Sequence, residues 1–98
     1  MLMKDKGKLV IWPSYIDKSK SRSKGRIISK KKSIKDPQLT EIETAAAKLD
    51  LHPEVEADKR YPKSWWEMSG RVLVENIEPK TVTARKIADT IRKIRGDK

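Results

Sequence analysis

Between Lys18 and Lys35 the chain carries nine basic side chains and no acidic one, interleaved with Ser19, Ser21, Ser23, Ser29 and Ser33. A stretch of like charge repels itself, and Ile27, Ile28 and Ile34 are all it offers for burial. Residues 17 to 35 therefore read as a long basic loop that cannot pack, mobile until something acidic orders it. Loops of this length are uncommon in a small domain unless they have a task. Residues 1 to 35 hold twelve basic and two acidic side chains, whereas residues 36 to 98 hold twelve of each, so the net charge of +10 lies entirely in the first third. An acidic polymer would relieve the repulsion by releasing its condensed counterions.

Several classes of function are excluded at once. Ninety-eight residues are too few for two cores, so one domain is expected over 1–98. With no cysteine and a lone His52, disulfide frameworks, thiol chemistry and Cys- or His-rich metal sites are ruled out, and no cofactor is implied. The longest apolar run, Leu9 to Trp12, is far short of the roughly 20 residues of a membrane span, and residues 1 to 8 lack a signal-peptide core, so a cytoplasmic location without membrane insertion is expected. Glu54, Glu56 and Asp58 could suggest a metal-dependent nuclease, but alternation on an exposed strand accounts for both glutamates. His52, beside Pro53, reads as a residue satisfying a helix end. The chain reads as non-catalytic.

Hydrophobic periodicity predicts five elements. Leu9 to Ile16 is β-branched and aromatic, a strand placed at a sheet edge because Pro13 removes a ladder donor. Asp36 and Pro37 have the chemistry of an N-cap and first helical residue, and Leu39, Ile42, Ala46 and Leu49 follow at helical spacing. Glu54 to Ala57 alternates as a second strand. Gly70 to Glu75 is a third, with Val72 and Val74 on one face and Arg71, Leu73 and Glu75 on the other; its apolar density places it centrally. A last helix after Pro79 aligns Ala84, Ile87, Ala88, Ile91 and Ile94, with Asp89 and Lys93 as an i,i+4 pair. The implied fold class is α+β: a β-α-β-β-α two-layer sandwich whose three-stranded antiparallel sheet has the order 1-3-2, with both helices on one face. The other face, with Glu54, Glu56, Arg71 and Glu75, is expected in water.

All five aromatic residues flank basic loops: Trp12 and Tyr15 before the first, and Tyr61, Trp65 and Trp66 within a second at 58–69, beside Lys59, Arg60 and Lys63. Flat rings with cations suit unstacked bases and phosphates. Trp12 is expected in the core, and Trp65 and Trp66 are expected to face opposite ways. Arg22 and Arg26 can fork onto phosphate or guanine edges, and Gly25 between them permits a tight turn. A sheet-type single-strand reader would carry aromatics on its central strand, which Arg71 to Glu75 lacks. A polybasic membrane-surface protein would need an amphipathic apolar face, also missing from the loop. A generic ribosomal-type binder of structured RNA stays open.

Taken together and in order, Val10-Ile11-Trp12-Pro13-Ser14-Tyr15-Ile16-Asp17, Lys20-Ser21-Arg22, Gly25-Arg26, Lys59-Arg60-Tyr61-Pro62-Lys63-Ser64-Trp65 and Gly70-Arg71-Val72 resemble the nineteen-kilodalton subunit family of the signal recognition particle, in its archaeal form. The resemblance implies a monomeric assembly protein that clamps the tetraloop tips of helices six and eight of the particle's RNA and so prepares that RNA for the GTPase subunit. Its RNA contacts map onto Tyr15, Lys20, Arg22, Gly25 and Arg26 in the first loop and onto Lys59, Tyr61, Lys63 and Trp65 in the second. Lys24, Ile27 and Ser29 depart from the family pattern, which usually has an acidic residue, a second basic residue and often proline there. Lys30, Lys31 and Lys32 follow as replacement charge, so Lys30 and Lys31 join the candidate set. Lys80 and Lys98 lie outside both loops and are expected to act only through the general field.

Overall fold

The computed structural model describes residues 8–59 and 69–96. Strand β1 (Lys8–Ile11) is short because Pro13 has no N–H for a ladder, and its fixed φ instead starts a 3-10 turn, Pro13–Ile16. The strand expected to reach Ile16 thus ends at Ile11, and Ile16 is turned into the core. Strand β2 (Glu54–Glu56) and strand β3 (Arg71–Glu75) complete the sheet. β3 is central and antiparallel to both neighbours, giving the order β1-β3-β2. Its register sets Leu9 opposite Val74, and Ile11 and Val55 opposite Val72, which lines one face with apolar side chains.

Helices α1 (Leu39–Lys48) and α2 (Lys80–Ile94) cover that face. Ile42, Ala45 and Ala46 from α1 meet Ala84, Ile87, Ala88 and Ile91 from α2 in a single apolar cluster with Ile11, Val72 and Val74. Small alanines at the crossing let the two helix backbones approach closely. Helix α1 begins later than Asp36 and Pro37 suggest. Asp36 takes a left-handed φ of 50°, and Gln38 becomes the N-cap, its N–H donating to Glu41 Oε1 at 2.9 Å. On α2 the expected stripe stops at Ile91: Ile94 is 42% exposed, and the buried row starts instead at Thr83. The Asp89–Lys93 pair forms, at 3.5 Å.

The basic loop does pack, contrary to the reading from charge alone. Ile16 O accepts from Ile34 N–H and Ile34 O accepts from Lys18 N–H, each at 2.8 Å, a parallel bridge that closes the base of the loop. Ile28 and Ile34 are 2% and 4% exposed and join the core, with Ile27 packed against it. Two 3-10 turns, Arg22–Lys24 and Lys30–Lys32, hold the cations on the outside. Two buried isoleucines and a third packed against the core are what anchor this loop among nine cations.

The opposite sheet face is not fully wet either. Leu73 is buried there, Trp12 is buried at the end of β1, and the Arg71 guanidinium lies 5.5 Å from the Trp12 ring centroid while its Nε donates to Glu56 Oε1. Since Ile34 fills a closed space at the loop's root, Ile34→Ala should lower unfolding stability by about 2 to 5 kcal/mol, measured by denaturant titration. An exposed position such as Lys31→Ala should stay within about 0.5 kcal/mol of the parent.

Candidate nucleic-acid interface

The 3-10 turn after β1 presents Tyr15 half-buried at the root of the first loop, where its carbonyl accepts from Ile27 N–H at 3.0 Å. From there the chain runs through Lys20 to the exposed turn that carries Arg22 and Lys24. Gly25 follows, buried, with φ 124°, a region that only glycine enters without strain. Arg26 then folds back: its Nε donates to Ile28 O at 2.9 Å and a terminal nitrogen donates to Lys20 O. Of the two arginines read as forks for RNA, Arg22 projects outward and Arg26 braces the loop from within. Lys30 and Lys31 are exposed on the second 3-10 turn.

The second loop leaves the sheet close by. Gly70 N–H donates to Lys59 O at 2.9 Å, which brings the two feet of this loop together. Tyr61, Lys63 and Trp65 lie outside the described residues, as does Trp66. A polar cleft of about 500 Å³ takes Asp17, Ser19 and Lys20 from the first loop, Asp36 from the entry to α1, and Ser69 from the end of the second loop. The described feet of both loops therefore open onto one cleft.

Sequence reasoning missed one residue here. Lys80, at the start of α2, places Nζ 5.2 Å from the centroid of the Tyr15 ring, a cation–π distance. It lies outside both loops in sequence, yet beside the candidate site in space, so it is unsuited to serve as the remote control that its sequence position suggests. No periodicity could have found it, because the contact joins elements 65 residues apart in sequence. Of the carboxylates weighed for metal chemistry, Glu56 is engaged by Arg71, and among the described residues no group of three or more His, Asp or Glu side chains is disposed to hold a metal. His52, at φ 50°, sets Nδ1 3.1 Å from Glu75 Oε1 on the exposed end of β3.

The exit of the first loop is gripped by α2. Arg92 donates to Lys32 O at 2.9 Å, and Arg95 donates to Lys35 O at 3.0 Å and Asp36 O at 3.3 Å. Arg95 also forks onto Glu41, its Nε and a terminal nitrogen each 2.6 Å from one carboxylate oxygen. Those hydrogen bonds hold the Glu41 carboxyl below the usual carboxylate range, with desolvation opposing and the Gln38 N–H and the Arg95 charge assisting. The same pair raises Arg95.

With this geometry in view, the sequence profile of the SRP19 protein family, the nineteen-kilodalton protein of the signal recognition particle, matches residues 10–94. The chain belongs to the SRP19 family. A relative from Methanosarcina mazei, the signal recognition particle 19 kDa protein, is 67% identical over 94 residues, covering 96% of this chain and 93% of that one. A relative of the same name from Methanopyrus kandleri is 43% identical over 93 residues, 95% of this chain and 90% of the other. Among solved structures, SRP19 in complex with the S domain of signal recognition particle RNA superposes with a TM-score of 0.82 at 46% identity, covering 85% of this chain and 95% of that one. The SRP19–S-domain RNA complex of Sulfolobus solfataricus gives 0.71 at 28% identity, covering 92% and 94%. The fold class read from periodicity is thus that of SRP19.

Positions where this chain departs from the SRP19 pattern have local roles. Ile27 is half-buried and packs against the core. Ser29 caps the Lys30–Lys32 turn: its side chain accepts from Lys32 N–H at 3.3 Å, and its carbonyl accepts from Ser33 Oγ at 2.7 Å. Lys24 is exposed on the first turn.

Two outcomes follow from this geometry. Gly25→Val should cost about 1 to 3 kcal/mol of backbone strain, seen by hydrogen exchange as lost protection of the Arg26 and Ile27 amides, whose partners are Ser21 O and Tyr15 O. Glu41 contributes stability above its unfolded pKa and loses it as pH falls through the lower folded value, so the parent should lose stability on acidification more steeply than Glu41→Gln, measured by thermal melts across that range.

Proposed function

We propose that this chain is a non-catalytic RNA-binding assembly subunit of the signal recognition particle, holding the tetraloop tips of RNA helices six and eight and so preparing the RNA for the GTPase subunit. The observation that carries the reading is the shared cleft, which the first basic, aromatic-flanked loop lines with Lys20 and the described foot of the second lines with Ser69. Relatives of the same fold occur in complex with the S domain of signal recognition particle RNA, which supports the same partner here. In this reading the protein acts as a cytoplasmic monomer and meets the GTPase subunit through the RNA, without inserting into a membrane.

The chemistry divides between reach and shape. Arg22, Lys20, Lys30 and Lys31 supply outward cations to phosphates, and Arg22 has the planar fork for a paired contact. Arg26 and Gly25 set the loop's curvature. Tyr15, with Lys80 against its ring, offers a flat surface and a point charge where the loop begins. Lys59, Tyr61, Lys63 and Trp65 would engage the second tip in the same mixed fashion.

Once one tip is bound, the second contact is intramolecular, and its effective concentration can reach the millimolar range. An RNA carrying both hairpins should bind at least about 10²-fold tighter than either alone. Neutralising Lys59 and Lys63 should remove most of that advantage and leave the other tip's binding nearly intact. Equal affinity for one-hairpin and two-hairpin RNAs at matched salt would reduce the protein to a single-site basic binder. About five neutralised phosphates should give a log-log salt slope between about −3.5 and −4.5, and Arg22→Ala should cost about 1 to 3 kcal/mol.

A further inference from the structure

We infer that Glu41 and Arg95 are positioning residues for RNA binding, a charge-neutral clamp that sets the path of the basic loop without touching RNA; the inference rests on the RNA-binding reading above. The clamp joins three elements. Arg95 is the C-cap of α2, Glu41 lies in the first turn of α1, and the loop exit is hydrogen-bonded to Arg95 through Lys35 and Asp36. One guanidinium holds both carboxylate oxygens of Glu41 and the carbonyls of Lys35 and Asp36. Asp36 stands at φ 50°, a conformation that a non-glycine residue keeps only when its surroundings hold it there.

The electrostatics explain why a clamp of this composition suits this place. A bare arginine beside Lys32 and Lys35 would add to the repulsion the loop already carries. Arg95 arrives with Glu41, and Arg92, which holds Lys32 O, lies 3.4 Å from Asp89, a carboxylate it shares with Lys93, so each of these two guanidiniums has a carboxylate beside it. The backbone is pulled in by directed hydrogen bonds while the net field that RNA meets is left nearly unchanged. With the exit fixed, Ile34 stays in the core and the Lys30–Lys32 turn keeps its outward aspect.

The test exploits an opposition of sign. Glu41→Gln raises the positive charge by one, which the general field alone would turn into tighter RNA binding. The clamp requires the reverse: a loss of about 3- to 10-fold for the two-hairpin RNA. Arg95→Lys keeps the charge and loses the fork, so it should weaken binding about as much as Arg95→Ala, with the salt slope of both equal to the parent's. Hydrogen exchange on the free proteins should show faster exchange at the Ile34 and Lys18 amides in all three variants. Thermal melts fix a working temperature at which each is folded, and a variant that does not fold leaves the comparison to the others. Equal or tighter binding by Glu41→Gln would overturn the inference. So would rescue by Arg95→Lys together with a slope reduced by about 0.9 in Arg95→Ala, which would make Arg95 a direct phosphate contact. Failure of the unsubstituted protein to bind the two-hairpin RNA would strike the RNA-binding reading itself, a result separable from any difference among variants.

Discussion

The structure depends on how nine like charges are held in a single path by forces that are not charge. The answer is a short parallel bridge between Asp17 and Ile34, two hydrogen bonds deep, with Ile28 and Ile34 buried beneath it. Coulomb repulsion among exposed lysines is screened within about 8 to 10 Å, whereas burial of an isoleucine and an internal backbone hydrogen bond are not subject to that screening. Short-range terms therefore fix the backbone, and long-range terms remain available for a partner. If the bridge were absent, the helices would still cover the sheet, but the cations would have no common orientation.

That division of labour recurs at each end of the loop. At its root, Tyr15 O receives Ile27 N–H. In its middle, Arg26 uses its guanidinium on the loop's own carbonyls. At its exit, Arg92 and Arg95 do the same from α2, each accompanied by an acidic residue. Arginine thus serves as internal scaffolding at Arg26, Arg92 and Arg95, because its planar fork can satisfy several carbonyls at once.

The second surface of the sheet shows the same economy. Arg71, expected in water, lies over Trp12 and pairs with Glu56, while Leu73 is buried beside them. An alternating strand pattern reports which residues share a face, but not whether that face is covered. The polar members of β2 and β3 therefore looked like a wet surface and, in the case of Glu54 and Glu56, like a weak candidate for metal chemistry.

What the sequence determined by itself is the element order, the central place of β3, the faces of both helices and the location of the basic loop, because these follow from periodicities of two and 3.6 and from local charge. Local chemistry misplaced the ends: Pro13 began a turn where a strand was expected, and Asp36 yielded the N-cap to Gln38 once Arg95 and the turn out of the loop claimed its carbonyl. Only the tertiary structure decided that the loop packs, that Arg26 points inward while Arg22 points outward, that Lys80 lies against Tyr15, and that both loop feet share one cleft. Lys80 against Tyr15 and the shared cleft join residues far apart along the chain, and even the short reach of Arg26 to Ile28 and Lys20 depends on a loop path that a linear pattern does not record.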